Sequence, residues 1–167
     1  MRILGIDPGI AIVGFGFVDR VGSKVVPVQY GTIETPAGLD AAQRLMDIHE
    51  TLTELIRRYR PDCIAVEKLY FNRNVTTAFT VGQARGVVLL AGAQQGIGCA
   101  EYTPLQVKQA VVGYGQAEKR QVQEMVRILL GLSSIPKPDD AADALAVAIC
   151  HAHSAGLRRK LDGVLGR

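Results

Sequence analysis

The sequence predicts an α/β domain, a mixed five-stranded sheet with helices on both faces. Three observations carry this. The first 35 residues are three apolar runs separated by turn residues. From residue 39 the apolar spacing changes to that of a helix. Beyond that point short apolar runs alternate with helical segments.

The first strand is RILGID (2–7), an apolar run that stops on a carboxylate before Pro8-Gly9. AIVGFGFVD (11–19) follows that turn, and KVVPVQYGTIET (24–35) follows Gly22-Ser23. Together they suggest an antiparallel meander. Pro27 has no N–H to give a ladder, which places the third strand at an edge. In LDAAQRLMDIHETLTELIRRY (39–59), Leu45, Ile48, Leu52, Leu55 and Ile56 recur at helical spacing opposite a charged face. DCIAVE (62–67) is a short strand that again ends on a carboxylate. A helix over about 75–95 and a strand IGCAEYT (97–103) complete a strand–helix–strand unit. Two helices follow, PLQVKQAVV (104–112) and EKRQVQEMVRILL (118–130), then an alanine-rich one over about 140–155. Residues 1–156 thus read as one domain. The tail LRRKLDGVLGR (157–167) carries four basic residues and two glycines and is expected to be loosely ordered.

The bulk properties fit this reading. With 167 residues, 48% apolar and 21% charged, the chain can bury one sizeable core. Its net charge of +3 is too mild to name a partner. Cys63, Cys99 and Cys150 are widely spaced, form no CxxC pair and sit in apolar runs. They read as buried thiols in a reducing compartment. The longest apolar stretch, GVVLLAGA (86–93), is far too short to span a bilayer, and no secretory pattern opens the chain. A cytoplasmic protein with no membrane partner is expected.

The helix at 75–95 is apolar on most sides: Val75, Ala78, Phe79, Val81, Val87, Val88, Leu89 and Leu90 keep to no single stripe. Either it is a central helix covered within the chain, or one side meets the sheet and another a second copy. The pattern alone supports both equally.

The carboxylates carry the chemistry. Asp7 ends the first strand, Glu67 ends the fourth, and Asp139, Asp140 and Asp143 open the last helix in PKPDDAADAL. Singly, each has a structural role: a turn cap, an exposed strand end, a helix N-cap. Together they suggest more. If the fourth strand lies beside the first, Asp7 and Glu67 become neighbours. Asp140 and Asp143, or Asp139 and Asp143, then share a helical face. If that helix packs on the sheet through Ala141, Ala144 and Ala148, four carboxylates converge. Their repulsion calls for divalent cations, and oxygen-only ligands suit Mg²⁺ or Mn²⁺. Paired ions of that kind hydrolyse phosphodiesters.

GIDPG, AVEKLYFNRN, GQARGVV, VKQAVVGYGQAEKRQV and DAADALAVAICHAH, in that order and spacing over residues 2–153, resemble the RuvC family of bacterial Holliday junction resolvases. The resemblance implies a ribonuclease-H-like fold. It also implies a homodimer that nicks two strands of a four-way DNA junction symmetrically. The family's acids fall on Asp7, Glu67, Asp140 and Asp143, and this pattern, not spacing, selects Asp140 over Asp139. It implies two Mg²⁺ per site, with Mn²⁺ able to substitute, and cooperation with the RuvA–RuvB branch-migration complex. An aromatic past the glutamate would wedge at the crossover. Tyr70 and Phe71 both qualify, with Tyr70 favoured on alignment. Lys108 and Lys119 match family lysines near the DNA backbone, and Arg73, Arg85 and Arg120 are further phosphate-contact candidates. His151 and His153 read as structural or surface residues, not ligands. An actin-like ATPase also opens with strand–Asp–Gly, but it needs a second phosphate-binding Asp-Gly loop that this chain lacks. A junction-binding scaffold without catalysis does not account for an intact acid set.

Overall fold

Each of the predicted strands and helices is present in the computed structural model. It describes residues 1–68 and 75–165, with the backbone alone for 75–77 and 156–165. The strands are β1 (Arg2–Asp7), β2 (Ile12–Val21), β3 (Lys24–Glu34), β4 (Cys63–Glu67) and β5 (Gly98–Tyr102). The helices are α1 (Ala41–Tyr59), α2 (Val75–Gln94), α3 (Pro104–Val112), α4 (Lys119–Leu130) and α5 (Asp139–Leu165). The sheet order is β3-β2-β1-β4-β5. The first three strands form an antiparallel meander, while β4 is parallel to β1 and β5 to β4. Pro27 does lie on an edge strand. There the register shifts, Phe17 facing Gln29 and Val18 facing Pro27, so β3 bulges at Val28.

Strand parity sorts the core into two layers. Leu4, Ile6, Ile64 and Val66 point to one face and pack with Ile48, Leu52 and Ile56 of α1 and Ala84, Val88 and Ala91 of α2. Ile3 and Ala65 point to the other, against Val107 and Val111 of α3, Val122 and Val126 of α4, and Leu145 and Ile149 of α5. Asp7 shares parity with Ile3, and Glu67 with Ala65. Both acids therefore project on the α5 face.

α5 lies unusually close to the sheet because small residues meet there. Ala141, Ala144 and Ala148 are fully buried, as the sequence suggested. A Cβ added at Gly5 would fall 2.0 Å from the Ala144 carbonyl oxygen. One added at Gly14 would fall 2.0 Å from that of Asp140. The α5 backbone runs to Leu165, past the end near 155 that the alanine pattern marks. His151 Nδ1 shares a 2.8 Å hydrogen bond with the Tyr102 hydroxyl, and His153 Nδ1 donates to the Ala110 carbonyl at 3.1 Å. Both histidines tie α5 to its neighbours, in keeping with a structural role. The cysteines depart from expectation at one position: Cys150 is buried and Cys63 half-buried, but Cys99 is exposed. It stands on β5, an edge strand of the sheet. No described helix is long and apolar enough to cross a membrane.

Candidate active site

The site is built where β1 and β4 end. The parallel register pairs Gly5 with Ala65 and Ile6 with Val66, so its continuation sets Asp7 beside Glu67. On the other side of β1, Asp7 pairs with Gly14 of β2. Because Gly14 has no side chain, the first turn of α5 settles over it, which brings Asp140 down onto Asp7. Asp143 follows three residues on, along the same helical face. A cleft of about 190 Å³ opens beside these acids, lined by Glu67 and Asp143 together with Pro104, Val107, Lys108, Lys119, Val122 and Ala146.

The charges confirm the convergence. Burial, then the carboxylates of Asp143, Asp140 and Glu67, push the Asp7 carboxyl up to about 7, against a downward pull from Lys119. Glu67 is raised by burial and by Asp143, opposed by Lys108 and Lys119. Asp143 is raised by burial although Lys119 bonds it directly. Such a set of half-buried, mutually repelling carboxylates has the donor chemistry for a hard divalent cation, which would offset both the desolvation and the repulsion. Among the described residues no three of these side chains close to ligating range of a single point, so the set has the chemistry for a cation without a preformed cage. Positive charge is supplied instead by Lys119, whose Nζ lies 2.9 Å from Asp143 Oδ2 and 3.7 Å from Asp139 Oδ2.

The remaining candidates divide clearly. Lys108 and Lys119 line the cleft. Asp139 is not in the buried cluster: it is 45% exposed and bonds Lys137 Nζ at 3.0 Å, which holds its carboxyl below the usual range. Arg120 is exposed at the start of α4 and does not line the cleft. Arg85 sits on α2, across the sheet from the acids, in a 2.7 Å ion pair with Glu101. A basic residue inside the GQARGVV motif reads as a phosphate contact in sequence, and only the placement of β5 reveals its carboxylate partner. Tyr70, Phe71 and Arg73 lie outside the described residues. The ion pairing of Lys119 with Asp143 and Asp139 carries no sequence signal, since it joins α4 to α5 across a turn of unreadable geometry.

This sheet order, with helices on both faces and acids gathered at the ends of its first and fourth strands, defines a nuclease of the ribonuclease-H-like fold. The family described as crossover junction endodeoxyribonuclease RuvC matches residues 3–151. This chain belongs to the RuvC family. A crossover junction endodeoxyribonuclease RuvC from Brevibacillus brevis is 64% identical over 152 residues, 91% of this chain and 92% of the relative. One from Desulfitobacterium hafniense is 57% identical over 99% of this chain and its own full length. The structure of T. thermophilus RuvC in complex with Holliday junction substrate matches with a TM-score of 0.90 and 40% identity, covering 95% of this chain and 96% of that one.

Proposed function

We propose that this chain is a structure-selective endonuclease that resolves four-way (Holliday) DNA junctions by paired, symmetric nicks in recombination and repair. Each nick hydrolyses one phosphodiester and leaves 5′-phosphate and 3′-hydroxyl ends. The observation that carries this reading is the placement of Asp7, Glu67, Asp140 and Asp143 around the ends of β1 and β4 and the start of α5, in a RuvC-family chain.

Asp7, Glu67, Asp140 and Asp143 would together hold two Mg²⁺, or Mn²⁺ in their place. Bound there, the cations supply a lowered water pKa and positive charge at the scissile phosphate. The chain does the rest. Buried carboxylates fix the ligand geometry, because β1, β4 and α5 are locked together through their glycines and alanines. Lys108 and Lys119 flank the cleft and orient a phosphate in it. Among the described residues no Ser, Thr or Cys lines the cleft. Tyr70 or Phe71 would stack on bases at the crossover, and Arg73 and Arg120 would add backbone contacts. Arg85, paired with Glu101 on the opposite face, drops out of that set. A homodimer acting with a RuvA–RuvB complex in the cytoplasm completes the proposal.

The test uses a mobile four-way junction and the Asp7→Asn variant. Asp7→Asn is expected to bind the junction as the unaltered chain does and to lose Mg²⁺-dependent nicking by at least a hundredfold, roughly 3 kcal/mol of barrier. Wild-type protein that leaves the junction intact, or a variant that nicks normally, would overturn the site.

A further inference from the structure

We infer that Lys119 competes with divalent cations for the acid cluster, and that Asp139 is the seat it takes when they bind. The inference rests on the reading of Asp7, Glu67, Asp140 and Asp143 as cation ligands. Lys119 Nζ lies 2.9 Å from Asp143 Oδ2. An ammonium has three donors and no lone pair, so it cannot itself ligate a metal. An Asp143 oxygen that accepts from it is withheld from a cation, and two positive charges at one carboxylate repel. Lysine and metal therefore compete at Asp143, chiefly through charge, since Oδ1 still has lone pairs to offer.

The second seat is already in place. Asp139 lies one helical turn before Asp143, so one lysine reaches both. Its Oδ1 bonds Lys137 at 3.0 Å, while its Oδ2 faces Lys119 at 3.7 Å. Lys119 is 57% exposed at the first position of α4, which leaves its stem free to swing across that gap. A DNA phosphate in the cleft would draw the same ammonium away from Asp143. Cation loading and DNA binding thus strengthen each other, reciprocally as linkage requires. Asp139, which no ligand role explains, becomes a positioning residue for Lys119.

The experiment measures Mn²⁺ binding to DNA-free protein, by the paramagnetic signal of free Mn²⁺, with melting curves confirming that each variant is folded. Lys119→Met is expected to bind Mn²⁺ about two- to fivefold more tightly than wild type, the range for a half-exposed charge pair. Lys119→Arg should stay close to wild type. Asp139→Asn should weaken binding about twofold to threefold in the wild-type background, because the lysine then has Asp143 alone. In the Lys119→Met background it should have no further effect. Equal weakening in both backgrounds would mean that Asp139 acts only as a nearby charge, and would overturn its part. Binding that Asp7→Asn abolishes but Lys119→Met fails to strengthen overturns the competition alone. No Mn²⁺ binding by any variant overturns the metal-site reading and this inference with it.

Discussion

Asp7 is where charge and burial conflict most sharply. Its carboxyl is pushed up to about 7 by burial first and by Asp143, Asp140 and Glu67 after it. In the unfolded chain an aspartate titrates near 3.9. Between those values the folded protein holds more protons than the unfolded one, so stability falls as pH rises through that window. Asparagine resembles the protonated acid in shape and cannot ionise. In the presence of a chelator, Asp7→Asn should melt with wild type at pH 4 and above it at pH 8, by the equivalent of roughly 2–4 kcal/mol. Parallel melting curves across pH would show that the carboxyl carries no such strain. The acids themselves were legible in sequence because each ends a strand or opens a helix. The partners of Arg85 and Lys119 were not, because ion pairs between distant elements depend on register and helix placement that no local pattern encodes.

The contact between α5 and the sheet decides how closely those acids approach. Gly5 and Gly14 face the helix backbone, where a Cβ would meet the carbonyls of Ala144 and Asp140 at 2.0 Å. Gly14→Ala pushes on the first turn of α5, next to Asp140, and should displace that carboxylate. The expected result is a loss of about 1–3 kcal/mol in stability with nicking reduced well beyond junction binding. Gly5→Ala presses on the middle of the helix, where Ala148 N also lies 2.8 Å away, so its main cost should be in unfolding free energy. Denaturant titration beside junction binding and cleavage separates the two. Strand and helix periods, and Pro27 at its edge, were legible because they are local. The glycine groove was not, since a strand glycine reads equally as a bulge or a close approach until its opposing element is known. The end of α5 was missed for a similar reason: Gly156 and a basic tail look like a stop, yet the backbone continues helically to Leu165.

A four-way junction has two equivalent strands to cut, and one chain gathers one acid cluster. The sequence left open whether α2 is covered within the chain. Among the described residues, Ala84, Val88 and Ala91 are buried on the sheet, while Phe79 is 67% and Leu90 51% exposed. Phe79, Gly86 and Leu90 fall at i, i+7 and i+11, on one stripe, and a Cβ at Gly86 would meet nothing within 4 Å. The proposed homodimer, if formed as an isologous pair through this stripe, would bury both copies' apolar residues and carry two acid clusters related by a two-fold axis. The stripe lies across the sheet from the acids, so its disruption should spare the site. Leu90→Glu and Phe79→Glu would each place a charge in that interface and should weaken self-association at least tenfold, about 1.4 kcal/mol, in sedimentation equilibrium. Their melting curves in dilute solution should remain cooperative. On a mobile junction such monomers should leave singly nicked junctions in place of resolved duplexes, because the second cut no longer follows the first on the same complex. A dimer that survives both substitutions, or paired nicking by a monomer, would place the two-fold contact somewhere other than α2.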